Sequence, residues 1–412
     1  MFIIYNFFLL LVLIFSPIII IIRIFLGKED QYRFREKFGF YSKINNIKDT
    51  IWIHGASVGE ILSIVPIIQK FEEDKKIRRI LITSSTTSSS YIFSKFNFKK
   101  TIHQFYPYDL SFITKVFINH WKPKVAIFVD SEVWPNMFKN LHKKKIPLIL
   151  LNARITNKSF KKWKYFPGFS KNIFNKITMA LPQNNETKKY LKSLGTKNIK
   201  FLGNIKFFGN TNKKKRQNTS LKKQFSNKKI LCAASTHQKE EMFIARVHKE
   251  LKPEIKNLIT IIIPRHINRK NEIIKELKNL DLNFQLHTSA KKLNNNTDIY
   301  LVDTYGEATK FYSLSKLTFL GGSLIPHGGQ NPLEPAREGN FILYGPHIEN
   351  FKEVYEMLDK FNVTAKISSI KSMKIAVRRK INFSDKKNVN RKLNNLGKRI
   401  LSKNLFEIRK FI

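Results

Sequence analysis

Short, largely apolar runs recur along this chain, and each leads through a polar loop into a helical pattern. Ile51–His54 comes first, followed by Gly55-Ala56-Ser57 and a helix with Ile61, Ile64, Val65 and Ile68 on one face. Ile80–Thr83, Val125–Val129 and Leu148–Leu151 repeat the pattern. A second series follows, through Ile230–Ala234, Leu258–Ile263, Ile299–Val302, Leu317–Leu320 and Phe341–Tyr344. Continuous apolar runs belong to strands covered on both faces, and a parallel return between strands needs a crossover helix. The expected class is therefore α/β: two similar halves, 27–205 and 230–385, each a parallel sheet covered by helices. In such sheets ligands gather at the carboxyl ends of the strands, and two such halves place a ligand in a cleft between them.

The remaining segments differ in character. Between the halves, 206–229 carries Lys213, Lys214, Lys215, Arg216, Lys222, Lys223, Lys228 and Lys229 with no acid, which reads as a solvated linker. The final stretch, 386–412, is polar with scattered Leu and Ile and reads as a surface helix. Residues 1–22 contain no charged side chain. As a helix they would reach roughly 33 Å, against a hydrocarbon core of about 30 Å. A cleaved signal would need a basic residue ahead of a shorter apolar run and a small-residue cleavage site, none of which is present. Arg23, Lys28, Arg33, Arg35 and Lys37 follow, so the expectation is a membrane anchor over 1–26 with the body on the cytoplasmic side. Pro17 and the short length leave a tilted or shallow anchor open. The net charge of +45 suits nucleic acid or an anionic membrane surface, although a chain so rich in Lys, Ile, Asn and Phe owes part of that charge to composition. The single cysteine, Cys232, excludes a disulfide framework and fits a reducing compartment.

Candidate chemistry sits just after the strand-like runs. Gly321 to Glu334 follows Leu317–Leu320 and ends in a helix start, with Asn331 as expected N-cap, Pro332 at the first helical position and Glu334 in capping-box spacing. Its glycines allow close backbone approach and the helix mouth offers amides, an anion site suited to a nucleotide phosphate; the plainer alternative is a well-capped connection. Ser57 and Glu60 also have capping-box spacing, so Glu60 either closes a cap or acts as a general base at the helix mouth. Ser131-Glu132-Val133-Trp134-Pro135-Asn136 follows the strand ending at Asp130, and Arg154 in Asn152-Ala153-Arg154 is a cation suited to phosphate or carboxylate. Thr83 to Ser90 is a hydroxyl-rich run that binds an acceptor or caps a helix. Gly203-Asn204-Ile205-Lys206 closes the first half and could aim Lys206 at the site. Ala234-Ser235-Thr236-His237 and Pro264-Arg265-His266 end strands in the second half, with Arg265 placed to pair with an anionic donor. Neither a D-x-D pair in a suitable loop nor an H-x-x-x-H spacing stands out, so no metal is implied.

Taken in order, these motifs, with Gly27-Lys28-Glu29-Asp30 and Ala233 to His237, resemble the Kdo (3-deoxy-D-manno-octulosonic acid) transferases of Gram-negative lipopolysaccharide synthesis over nearly the whole chain. The resemblance implies a GT-B glycosyltransferase fold, two Rossmann-like domains facing a cleft, with an N-terminal membrane-anchor helix. It implies CMP-Kdo as donor and a lipid A precursor (lipid IV-A) as acceptor. The implied reaction is an inverting, metal-independent transfer that releases CMP and needs no cofactor. It would run at the cytoplasmic face of the inner membrane, with the anionic membrane surface rather than nucleic acid as partner. On this reading Glu60 is the catalytic base, and Glu132, Arg154 and Lys206 serve the acceptor or transition state. Pro264, Arg265, His266, Gly322, Ser323, Asn331 and Glu334 would bind CMP, with Glu334 on the ribose hydroxyls. Gln330 stands where the family more often has His, and Val129-Asp130-Ser131 where it has a Met-Glu-Thr-like run, which bears on fine specificity. Two other readings compete: a GT-B enzyme using a UDP-linked hexosamine, and a membrane-tethered nucleic-acid binder suggested by charge but lacking readout motifs.

Overall fold

The computed structural model describes the chain apart from residues 43–48, 209–218 and 290–291. It divides into two compact units, Met1–Asn212 with Leu396–Ile412, and Lys213–Asn395.

The first unit holds six parallel strands: β1 Thr50–His54, β2 Arg79–Ser84, β3 Thr101–Phe105, β4 Pro123–Val129, β5 Leu148–Ala153 and β6 Met179–Pro182. Their order is β3-β2-β1-β4-β5-β6, so winding reverses between β1 and β4. The expected apolar runs are the central strands, and every residue of β1 is buried. Trp52 in β1 packs its ring 4.6 Å from Phe117 and 5.0 Å from Phe128, while its indole N–H donates to Thr83 Oγ1 at 2.9 Å. That bond satisfies the one polar atom such a ring carries into a core. The Thr83–Ser90 run resolves as a cap: Thr86 accepts the Ser89 amide at the start of helix Thr87–Ser94.

The second unit holds seven parallel strands: β7 Lys229–Thr236, β8 Leu258–Pro264, β9 Phe284–Leu286, β10 Ile299–Leu301, β11 Leu317–Leu320, β12 Phe341–Tyr344 and β13 Thr364–Lys366. The order β13-β12-β11-β7-β8-β10-β9 reverses between β11 and β7. Cys232 is a buried free thiol in β7. Of the basic run between the halves, Lys213, Lys214, Lys215 and Arg216 lie outside the described residues. Lys222 and Lys223 belong to a short helix, Thr219–Gln224, and Lys229 opens β7.

Residues Lys386–Arg409 do form a helix, but not a mere surface one. Val389, Leu393, Ile400, Leu401, Leu405 and Ile408 are buried along it. The helix begins in the second unit, and its part from Leu396 onward belongs to the first. There Lys200 pairs with Glu407 at 2.7 Å and Arg409 with Asp74 at 3.0 Å. The scattered Leu and Ile fall at helical spacing, so they make one stripe that needs cover.

The N-terminal helix Phe2–Phe25 is long and apolar enough to cross a membrane. Its first turns dock on the first unit. Phe2 meets Phe169 edge-on at 4.9 Å, and Asn136 Nδ2 donates to Asn6 Oδ1 at 2.8 Å. Tyr5 donates its hydroxyl to Asp109 at 2.8 Å. Asp109 is 1% exposed and also accepts the amides of Asn136 and Met137, which open the helix Pro135–Lys143. Asp109→Ala strands three buried donors at once. The expected cost is roughly 3 kcal/mol, read as a lowered unfolding midpoint in detergent. An unchanged midpoint would show that these donors find other partners.

Candidate active site

The reversal between β1 and β4 separates the loops at the carboxyl ends of these two strands, where open α/β sheets build their sites. After β1 the chain passes through Gly55-Ala56 to Ser57, the N-cap of helix Val58–Glu73. Both halves of a capping box form: Ser57 Oγ accepts the Glu60 amide at 3.4 Å, and Glu60 Oε2 accepts the amides of Ser57 at 3.3 Å and Ala56 at 2.6 Å. These amides favour the charged carboxylate. Burial and the neighbouring charges of Glu132 and Asp130 win nonetheless, raising the Glu60 pKa to about 7. Cap and titrating carboxyl are the same group.

Glu132, on the loop after β4, has the opposite balance. Burial works to raise its pKa, but His54 and Trp134 hold it below the usual carboxylate value. His54 Nε2 lies 3.1 Å from Glu132 Oε2, and the Trp134 indole donates to the same oxygen at 2.8 Å. His54 is itself fully buried, with Nδ1 2.9 Å from Thr83 Oγ1 and its ring stacked 3.9 Å from Tyr106. Two carboxyls at one helix mouth are thus pushed apart in pKa, the arrangement that lets one exchange protons while the other stays charged.

The cations arrive from β5 and the turn after Gly203. Lys206 Nζ pairs with Asp130 Oδ2 at 2.7 Å. The Arg154 amide donates to the Asp130 carbonyl at 3.0 Å, and Ser131 Oγ to the Arg154 carbonyl at 3.1 Å. Asp130 and Asn152, at the ends of β4 and β5, both have positive φ, 64° and 51°. Non-glycine residues hold that conformation when their surroundings enforce it, as sites often do. Here Asn152 Oδ1 accepts the Ile205 amide at 3.0 Å, fixing the turn that carries Lys206. The first unit therefore gathers Glu60, Glu132, Arg154 and Lys206 at one end of its sheet. Asp130 and His54 belong with them; from sequence His54 had no role and Asp130 was marked only within Val129-Asp130-Ser131. Each has the further signal of position, at the end of an apolar run.

In the second unit the glycine stretch departs from expectation in two ways. The helix after it starts at Leu333, one residue late, and Pro332 occupies the N-cap position. Asn331 still caps through its side chain, accepting the Leu333 amide at 3.1 Å, but Glu334 closes no capping box and is exposed. With Pro332 as N-cap, Glu334 falls at the second helical position rather than the third, so the capping-box register is lost. The second departure concerns the amides. Glu240 Oε2 accepts from Gly322 at 2.7 Å and His237 at 3.0 Å, and Oε1 from Ser323 at 3.1 Å and Leu324 at 3.0 Å. The amides of Gly322 and Ser323 are thus not open to a ligand, because a buried carboxylate of the chain already fills the nest. Gly321 must be glycine here, since a Cβ would sit 2.6 Å from Thr236 Cα and 2.8 Å from Glu240 Oε2. Ser323 turns its hydroxyl inward, accepting the Gly345 amide at 2.8 Å.

Around this loop stand three histidines. His237 is 8% exposed, and its ring centre lies 4.3 Å from that of His327 and 5.7 Å from that of His266. Burial, then the charges of His327, His266 and Arg265, push its pKa down to about 4, so the ring is neutral at physiological pH. Pro264 ends β8, and Arg265 and His266 follow it, both exposed. An exposed guanidinium beside neutral imidazole is a place for an anion.

Residues 32–209 match the family model described as 3-deoxy-D-manno-octulosonic-acid transferase (kdotransferase). The chain is 31% identical to the 3-deoxy-D-manno-octulosonic acid transferase of Haemophilus influenzae, over 96% of this chain and 94% of that one. It is 35% identical to the enzyme of the same name from Rickettsia bellii, over 82% and 80%. Among solved structures, UDP-GlcNAc 2-epimerase from Neisseria meningitidis superposes with a TM-score of 0.58 at 13% identity, covering 88% of this chain and 99% of that one. A glycosyltransferase from Rickettsia africae gives 0.56 at 12%, over 88% and 98%. These likenesses show the fold, which is GT-B. On its sequence likeness the chain belongs to the 3-deoxy-D-manno-octulosonic acid transferase family and is a glycosyltransferase.

Proposed function

We propose that this enzyme moves Kdo from CMP-Kdo to a lipid A precursor such as lipid IV-A, with Glu60 as general base. The observation that carries the reading is the Glu60 carboxyl, whose pKa of about 7 lies where a base can both take and return a proton. An acceptor sugar hydroxyl gives its proton to Glu60 as its oxygen bonds to the anomeric carbon. The bond from that carbon to the CMP phosphate breaks, and CMP leaves with the electron pair. One displacement inverts the configuration. Glu132, held below the usual carboxylate pKa, offsets positive charge developing on the sugar ring, while Arg154 and Lys206 hold anionic groups of the substrates.

For the donor, Arg265 pairs with the single phosphate of CMP and His266 assists, at the end of β8 that Pro264 closes. Asn331 and Glu334 serve the nucleoside, Glu334 on the ribose hydroxyls. Gly322 and Ser323 contribute by shaping the loop around Glu240, their amides being occupied. In this reading no metal is needed, since one phosphate monoanion is matched by one guanidinium. The apolar N-terminal helix and the charge of +45 suit an enzyme working at the anionic cytoplasmic leaflet on a phosphorylated lipid.

Glu60→Gln keeps an oxygen for the two cap amides but removes the base. Transfer should fall by about 10²–10⁴-fold while CMP binding, measured by calorimetry, is unchanged. Loss of both would make Glu60 a structural cap only, and normal transfer would remove it from the mechanism. The pH profile has a fixed sign: the base must be ionised, so kcat/KM should fall about tenfold per pH unit below pH ~7. Glu132→Gln removes a like charge that raises the Glu60 pKa, so that limb should move to lower pH; a limb that stays in place rejects the coupling. Arg265 is exposed, and Arg265→Ala should weaken CMP binding roughly 10–100-fold without lowering the unfolding midpoint. If UDP-sugars support transfer and CMP-Kdo does not, the donor assignment fails.

A further inference from the structure

We propose that the N-terminal helix does not cross the bilayer but lies in the plane of one leaflet, one stripe on the first unit and the opposite stripe among the acyl chains. The inference rests on the membrane attachment proposed above and specifies its geometry. Along the helix a stripe of Phe2, Tyr5, Leu9, Leu13, Ser16 and Ile20 is half-buried or buried, at the three- and four-residue spacing of one helical face. Ser16 and Ile20, two-thirds of the way along, are 1% and 3% exposed, so cover extends well beyond the first turns. On the opposite face Ile3, Phe7, Ile14, Ile18, Ile21 and Phe25 are 54–87% exposed. A helix that spans lipid alone would show no such division.

Both ends are tied to the same unit. At the start, Tyr5 and Asn6 bond to Asp109 and Asn136. At the finish, Arg23 pairs with Glu29 at 3.2 Å, and Glu29 is buried against Lys37 Nζ at 2.7 Å. The helix has 24 residues, about 36 Å of length. Crossing the bilayer would carry one end to the far leaflet, and with it Asp109 and the helix mouth it caps. The polar interior of a folded sheet unit has no place in hydrocarbon. Pro17 fits the lateral placement. It leaves the Leu13 carbonyl without its amide donor, and Ser16 Oγ, on the covered stripe, supplies one at 2.6 Å.

The surroundings identify the occupant of the open face as an anionic lipid leaflet. Near the first turns, Lys139 Nζ lies 4.9 Å over the Phe2 ring, and Tyr165 and Phe166 are 82% and 47% exposed in the segment leading to Phe169. Beyond the last turn, Tyr32 and Phe40 are 78% and 70% exposed among Lys28, Arg33 and Arg35. Aromatic and basic side chains mark headgroup depth. Present at both ends of one helix fixed to one body, they put both ends at the same depth.

Depth-resolved quenching tests this on the full chain. Phe7→Cys, Ile14→Cys and Ile21→Cys are each labelled with bimane; the sites are exposed, and Cys232 is fully buried. The protein is bound to phosphatidylethanolamine–phosphatidylglycerol vesicles carrying nitroxides at shallow or deep acyl positions. The expected result is one common depth for all three, ~5–10 Å below the headgroups. A profile with Ile14→Cys at the bilayer centre and the others shallower would overturn the in-plane helix while keeping membrane attachment. Quenching at none of the three would overturn membrane attachment itself, and the in-plane helix with it.

Discussion

Parallel strands can be joined only by crossovers, and a sheet wound first one way and then the other must open at the reversal. That constraint governs both units. In the first it separates the loops after β1 and β4, and in the second those after β7 and β11. The groups with proposed chemical roles stand at the carboxyl ends of strands or on the loops and first helical turns that follow them. The cores beneath, with Trp52 between Phe117 and Phe128 in the first unit, hold these ends in register.

Environment, not residue type, distinguishes the carboxyls of the first unit. Asp130 has a lysine, Glu132 has an imidazole and an indole, and Glu60 has only two amides against burial and two like charges. Amide bonds alone do not keep Glu60 acidic, because each neighbouring anion raises the energy of its charged form. The cap supplies the position of this carboxyl, and burial together with the charges of Glu132 and Asp130 supplies its pKa.

Central strands were legible because burial on both faces writes a continuous apolar run. The edge strands β3, β6, β9 and β13 were not; β9 and β13 are three residues each with none buried, and β6 is only four long. Glu60 was legible as cap or base from the Ser57 spacing, but its pKa depends on residues some seventy positions away. Glu240 left a weaker trace still: it reads as an acid at a helix start, and three of its four amide partners lie 82 to 84 residues downstream. Local pattern suggested an anion site at the glycine loop; in the structure the amides of Gly322, Ser323 and Leu324 there are held by the protein's own Glu240 carboxylate. The N-terminal segment repeats the lesson. Its apolarity was plain, but whether one stripe is covered depends on Asp109, Asn136 and Phe169, which no hydropathy window includes.

The Glu240 carboxylate also changes what the glycine loop is. A nest of free amides would adjust to whatever anion entered it and would respond to ambient phosphate. With the amides of Gly322, Ser323 and Leu324 bound to a side chain of the same unit, the loop takes its shape from the fold itself. Its ordering cost is therefore met during folding.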